Sequence, residues 1–424
     1  MPKYVVYATR YDDPHIIEEI PARNLEFSLP LSDHGTATFS AQVEPGGSLW
    51  RDAISLPLSG VLIARDDVPV WQGWVTDERL DGLRSFQFTC KEWGAFFAQV
   101  PAVARTWSNV NDHKIFRDLI TDAQAVSGQN VQVQVDSTTS GSAFSDRVVN
   151  WWDDTTVERE FRSVSTAIGG PEWYFHTTGT IDNPVRRLVL GDRLGLTSDD
   201  DDIPVLEYVE DTEDYASPDA PPMVALLGEL YPGLAPIVPT RRAGGNLIAH
   251  NRTRSTTTCA TVSQAWGSGQ DASRLFRGAQ ADDLLTAGWP RLTRSVVYPD
   301  VVIATTLQEH AQDDLDLSAG IATGYSLIAL DDDPDWTQTP RGSSVRVVLD
   351  TDIYGAERPV GGPFGFDARL LGHTIRVSDS GPAQVEWQIA TVEELASQMS
   401  SDTPLRRRTW SGTPWVPPRT WRPS

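Results

Sequence analysis

The segment Val61–Trp93, VLIARDDVPVWQGWVTDERLDGLRSFQFTCKEW, constrains the fold more than any other stretch of the chain. It reads as three strands and two turns that end on the start of a helix. Val61, Ile63 and Arg65 alternate with Leu62 and Ala64, and Asp66-Asp67 supplies a turn. Val70, Gln72 and Trp74 then alternate with Trp71, Gly73 and Val75, the period of two expected of a half-buried strand. Asp81-Gly82 marks a hairpin, because glycine tolerates the positive φ of a tight primed turn. Phe86, Phe88 and Cys90 place three apolar side chains on one face of the returning strand. A ribbon this aromatic needs a partner sheet or a barrel to cover it, since two or three strands alone are marginal in water.

The flanking sequence supplies more strands. Lys3–Thr9 is β-branched and aromatic, Tyr11–Pro14 breaks it, and His15–Ile20 resumes. Leu25, Phe27 and Leu29 alternate, as do Ala37, Phe39, Ala41 and Val43, with Ser32-Asp33-His34-Gly35 as the hairpin between them. About six short strands in roughly ninety residues is the density of a small antiparallel barrel. Two helices follow. Ile115, Leu119, Ala123 and Val126 recur at helical spacing between a cap at Asn111 or Asp112 and a stop at Gly128. Val157, Phe161, Val164 and Ile168 make a second stripe that stops at Gly169-Gly170. Each stripe is one face wide, so each helix lies against something.

Beyond them, Pro171–Thr180 reads as a strand with Trp173 and Phe175 on one face, continued by Arg187–Leu190. Residues 192–246 are irregular, with an acidic run at Asp199–Asp202 and a proline-rich stretch at Pro218–Pro239, the pattern of a surface loop or a partner-binding insertion. Cys259–Trp266 is strand-like, and Leu307, Ala311 and Leu315 predict a helix over Ala304–Leu317. A second sheet is expected from Tyr325–Leu330, Val345–Leu349, Thr374–Val377 and Val385–Ala390, punctuated by Gly342, Gly372 and Ser380-Gly381-Pro382. The fold expected is mixed β with α: two small antiparallel β-barrel domains separated by a helical and irregular middle. The first barrel takes 1–100. A helix-rich middle with a strand takes 101–180, joined by 286–320, and 181–285 is irregular with strands that partly belong to the second barrel. The second barrel takes 321–395, and 396–424 is an extended Trp/Pro arm.

Composition narrows function. With 424 residues and 40% of them hydrophobic, the chain has material for several well-buried cores. No stretch approaches the roughly 18 uninterrupted apolar residues of a membrane span, and the N-terminus lacks the pattern of a secretory signal. Cys90 and Cys259 are too few for a disulfide scaffold and read as buried, reduced thiols, as in a cytoplasm. Asp and Glu number 58 against 35 Lys and Arg, a net charge of -23, which argues against a protein that grips nucleic acid by its phosphates. Fifteen Trp is a high count for a chain of this length, and Trp anchors cores and, still more, protein interfaces.

Chemistry is scarce. None of the seven His is paired at metal-ligand spacing, and Glu309-His310 has Asp314 where a metallopeptidase helix needs a second His. Gly267-Ser268-Gly269 lacks the G-x-S-x-G spacing of a nucleophile elbow, and no phosphate-cradling glycine loop occurs. The runs Asp199–Asp202 and Asp331–Asp333 have carboxylates for Ca²⁺ but not the alternating loop of a dedicated site, so solvated acidic loops are expected. No catalytic residue, metal site or cofactor is expected. The segment TWSGTPWVPPRTWRPS is either a disordered tail or an extended arm that docks Trp410, Trp415 and Trp421 in pockets on a neighbouring subunit, since proline has already restricted it.

A strand carrying an arginine, an acidic turn, the strand Val70–Val75 and an aromatic strand closing on Cys90-Lys91-Glu92-Trp93 resemble the first barrel of bacteriophage tail hub proteins. These are the minor tail proteins of long-tailed phages related to the central baseplate hub of contractile ones. The order that follows is similar to that family across residues 1–395: two helices, the Trp173/Phe175 strand, an irregular middle, a helix and a second β-rich domain. The resemblance implies a structural virion component of the tail tip, assembled in the host bacterial cytoplasm and without enzymatic activity. In that family two barrels per subunit make a homotrimer into a pseudo-sixfold ring. Its partners would be distal-tail or tail-tube ring proteins, the tape-measure protein and other tail-tip proteins, with DNA in passage only. Two alternatives stand beside it: a tail module whose tryptophans stack on host-surface glycans, and a tail-associated peptidase or lysin. Several Trp in one open groove would favour the glycan binder, and their burial at subunit contacts would favour the hub.

Overall fold

In a computed structural model of the chain, the described residues are 2–44, 47–82, 84–135, 141–165, 170–196, 203–209, 245–257, 259–269, 273–298, 301–319, 322–350, 364–379 and 381–390. The chain divides into two compact units, one made of Met1–Cys259 with Gly320–Gln398, the other of Ala260–Ala319 with Met399–Ser424.

The aromatic ribbon forms as its alternation predicts. Strand β1 is Tyr4–Arg10, β2 Glu18–Ile20, β3 Ala22–Pro30, β4 Thr36–Gln42, β5 Ser59–Arg65, β6 Val68–Asp81 and β7 Ser85–Glu92. Asp66 and Asp67 make the first turn at φ of 50° and 63°, a left-handed geometry that Asp tolerates better than most side chains. The order across this lobe is β3-β4-β7-β6-β5-β1-β2. Phe27, Phe39, Ile63, Trp71, Phe88 and Cys90 fill its interior. Strand β6 departs from the half-buried expectation: every residue from Pro69 to Val75 is buried. The reason is a second covering layer, because Trp71 and Val75 face the lobe's own core while Trp74 packs into a different one.

That second core is the middle layer. A 3-10 helix over Trp93–Gln99 leads into β8 (Arg105–Asn111), the helix Asp112–Ala125, β9 (Val133–Val135), β10 (Phe144–Val149), the helix Val157–Ser165, β11 (Glu172–Thr180) and β12 (Asn183–Gly191). Asn111 caps the first helix by accepting from the His113 amide, 3.1 Å away. Ile115, Leu119 and Ala123 are buried as predicted, and so are Val157, Phe161 and Val164. Val126 lies past the last turn and is exposed.

Strands β13 (Val205–Val209) and β14 (Leu247–Ser255) come next. The other unit then supplies β15 (Val262–Trp266), flanked by β16 (Phe276–Gln280) antiparallel and β17 (Thr293–Val297) parallel. Its helix Ala304–Ser318 buries Leu307 and Ala311 in a core with Ala265. There the Tyr298 hydroxyl donates to Asp314 at 2.8 Å, and the ring stacks on His310. The residue that interrupts a metallopeptidase spacing is thus a hydrogen-bond acceptor. Burial raises its carboxyl pKa.

The chain returns to the first unit as β18 (Ala322–Leu330), β19 (Ser344–Asp350), β20 (Phe364–Val377) and β21 (Gln384–Ala390). These join β13 and β14 in a second lobe ordered β13-β19-β20-β21-β18-β14. β20 also pairs with β3, so among the described residues thirteen strands form one sheet, antiparallel except for β13 on β19. The result is a mostly β protein built on one large sheet, and neither lobe's pairing order closes on itself. The ends of each order do come together. β2 and β3 are separated only by Pro21, and Asn246 joins β14 to β13 through bonds to Val205 and Glu207.

Candidate functional site

The two lobes meet along β20. Its residues Phe364–Arg369 pair with β19, while Gly372–Val377 pair with β3, and β21 runs along the other edge. A register shift between Leu370 and Gly372 marks the exchange of partners. Gly372 does not end the strand, as its place in the sequence suggested. A β-carbon there would sit 2.6 Å from the Leu29 carbonyl oxygen, so the glycine admits the backbone of β3. The cores of the two lobes are accordingly one cluster, with Phe27 against Trp336 across the seam.

Buried charge ties the seam. Asp331, at 2% side-chain exposure, accepts from the Tyr4 hydroxyl at 2.7 Å, from Trp336 Nε1 at 2.6 Å and from Arg65 Nε at 3.2 Å. Arg65 Nη2 also donates to the Asp331 carbonyl. Burial and the Asp331 charge push the Tyr4 phenol well above its ordinary pKa, so it remains a donor. The acidic run Asp331–Asp333 is therefore not a solvated loop throughout. Its first carboxylate is committed to the other lobe.

The middle layer is fastened in the same way. Arg341 donates to the Pro30 carbonyl at 3.1 Å, lies 3.6 Å from Glu92 and stacks its guanidinium over Tyr174. Glu92 accepts from the Gly35 amide at 2.6 Å. Burial raises Glu92 and lowers Arg341, and each opposes the other's shift. Gly35 is required by this approach, since a β-carbon would lie 2.8 Å from the Glu92 carboxyl carbon. Arg369 grips Glu172 through both nitrogens, at 2.7 and 2.5 Å. Arg186 donates to the carbonyls of Arg10, Tyr11 and Val131 and to Gln72 Oε1, with its guanidinium 4.0 Å over Trp93. Burial lowers its pKa against the charges of Asp13 and Asp12.

His373 sits where β20 crosses from β19 to β3, between Trp336 and Trp387. Burial, with Arg341 nearby, pushes it down to about 3 from an ordinary 6.5. Between those values the unfolded chain takes up a proton that the folded chain refuses. Stability from this group is thus complete above pH 6.5 and lost as pH falls toward 3, at roughly 1.4 kcal/mol per pH unit and up to about 5 kcal/mol in all. Urea midpoints of the wild type and of His373→Gln between pH 7.5 and 4 are expected to converge as pH drops. Parallel pH profiles would exclude the buried imidazole as the cause.

The sequence-predicted docking residues Trp410, Trp415 and Trp421 lie outside the described residues, as do Asp199–Asp202. Trp50, Trp71, Trp74, Trp93, Trp107, Trp173, Trp336 and Trp387 are buried in the cores rather than arrayed in a groove. Trp151 and Trp152 are the reverse, at 81% and 63% exposure. Both cysteines are free and buried. Among the described residues no group of three or more His, Cys, Asp or Glu is placed to hold a metal ion, and no helix is long and apolar enough to cross a membrane. Sequence reading passed over Arg186, whose phase with Leu188 and Leu190 on β12 already places it on the inward face.

No protein-family model matches this chain, and no curated protein matches it with significance. Solved structures do. The tail protein from Neisseria meningitidis MC58 aligns with a TM-score of 0.55 and 10% identity, over 95% of this chain and 99% of its own. The 43 kDa tail protein of prophage MuSo2 from Shewanella oneidensis aligns with a TM-score of 0.56 and 9% identity, over 92% and 99%. An E. coli type VI secretion component described as structurally similar to T4 bacteriophage tail proteins gp27 and gp5 aligns at 0.45 and 8%, over 91% and 77%. At such identities the likeness is one of architecture, and the chain has, nearly end to end, the fold of the Neisseria and Shewanella tail proteins.

Proposed function

We propose that this chain is a structural subunit of a phage-type tail tip, a hub that assembles as a homotrimer and presents six similar lobes in one ring. The observation that carries the reading is the pair of sheet lobes fused along β20, in a chain whose fold matches tail proteins over almost its whole length. Each lobe is read as a small barrel, supported by the approach of its first and last strands at Pro21 and at Asn246. Two comparable lobes per subunit let a threefold ring stack on a sixfold tube or distal-tail ring.

The hub would join that ring to tape-measure and other tip proteins, in a virion assembled in the host cytoplasm. A net charge of -23 suits a ring past which DNA slides, because like charge denies the phosphates a foothold. No catalytic step is assigned to it. Eight tryptophans are buried in the chain's own cores, so among the described residues these offer no open groove to a glycan. Native mass spectrometry of the purified protein is expected to show three copies of the 46.7 kDa chain, alone or once a tube-ring partner is added. A monomer at micromolar concentration that also ignores such partners would sink the proposal.

A further inference from the structure

The middle layer carries one surface that the packing does not explain. On β10 the alternation points Phe144 and Val148 outward, at 60% and 55% exposure, while Val149 is buried. The next turn lifts Trp151 and Trp152 into solvent with their rings perpendicular and 5.4 Å apart. This turn is held in place: the Asn150 amide and side chain both donate to Asp153, and the Asp153 amide donates back to the Asn150 carbonyl. Two exposed tryptophans on a fixed turn are an anchor awaiting a partner, since fully hydrated indole is a costly surface to keep without use.

The charge around the anchor names the partner. Asp146, Asp153 and Asp154 are exposed beside it. The cations of the same ribbon are already engaged, Arg105 by Asp118 and Asp122 and Arg147 by Glu160. The patch therefore asks for an aromatic, cationic segment. One exists in the chain: Pro404–Ser424 holds five arginines, three tryptophans and no acidic residue. A chain of net charge -23 repels its own copies, and this segment concentrates charge of the opposite sign. At the rise of an extended chain the five residues from Trp410 to Trp415 would correspond to about 15 Å, comparable to the roughly 17 Å from Phe144 to Val149 along β10.

We infer that residues 404–424 of one copy dock on the Phe144–Asp154 face of a second copy, with tryptophans against Trp151 and Trp152 and arginines against Asp146, Asp153 and Asp154. The inference rests on the assembly reading above for the copy that supplies the segment. The test uses the full chain with its own segment silenced by Trp410→Ala, Trp415→Ala and Trp421→Ala, titrated with a fluorescein-labelled peptide of residues 404–424. Saturable binding is expected. It should weaken at least about tenfold when Trp151→Ala and Trp152→Ala are added, and weaken again as salt is raised. Both tryptophans are solvent-exposed, and unchanged circular dichroism would show that their replacement leaves the fold intact.

Absent binding, or binding indifferent to Trp151 and Trp152, overturns the inference. So would retention of the unmodified chain on host-envelope polysaccharide that the double variant loses while the peptide fails to bind, which assigns the patch to carbohydrate. If the unmodified chain forms its trimer and the peptide result is negative, docking fails and the hub stands. If the peptide binds at the patch but no trimer forms with or without a ring partner, the hub fails and docking stands.

Discussion

Arg186→Ala is expected to destabilise the larger unit by about 3–5 kcal/mol, the cost of removing one member of a buried, hydrogen-bonded charge site. The guanidinium serves four acceptors on three separate segments, and alanine would leave the carbonyls of Arg10, Tyr11 and Val131 without their donor. It would also vacate the face of Trp93. Lysine is not expected to rescue, because an ammonium has three donors where Arg186 serves four acceptors. The neighbour supplies the control. Arg187 is exposed on the same strand, and Arg187→Ala should stay within about 0.5 kcal/mol of the wild type. Urea denaturation of the two variants decides it: equal midpoints would show that the middle layer does not depend on this cation.

The second large effect belongs to the seam. Asp331→Ala removes the acceptor shared by Tyr4, Arg65 and Trp336 and leaves Arg65, 13% exposed, without its nearest carboxylate. A loss of about 3–5 kcal/mol is expected. Asp332→Ala, at an exposed position one residue on, should change little. Because Asp331 and Arg65 belong to one network, Arg65→Met added to Asp331→Ala should cost less than the sum of the single changes. Additive costs in a double-mutant cycle would show that the two groups act separately.

Much of this architecture was legible in residue order. Period-two alternation located β5, β6 and β7, and helical stripes placed the helices at 112–125, 157–165 and 304–318 within a few residues. What alternation does not carry is the number of covered faces. Val70–Val75 reads as half-buried because Gln72 looks polar, yet Gln72 faces Arg186 inside the molecule. The strands β8, β10 and β14 escaped notice because each buries a single apolar residue, Trp107, Val149 and Leu247 in turn, so no alternating apolar face marks them.

The joint was hidden for a different reason. Asp331 and Arg65 are 266 residues apart, Arg369 and Glu172 are 197 apart, and no local pattern announces that such groups will meet. Gly372 resembled punctuation because a glycine inside a strand pattern usually weakens or interrupts it. Only the approach of β3 reveals that it lets one strand serve two neighbours.

The shared strand has a mechanical consequence. Separating the lobes would break the β3–β20 pairing from Gly372 to Val377 and open the core the lobes share. The two lobes would accordingly move as one body. A substitution within β20 should therefore alter how firmly the two lobes hold together.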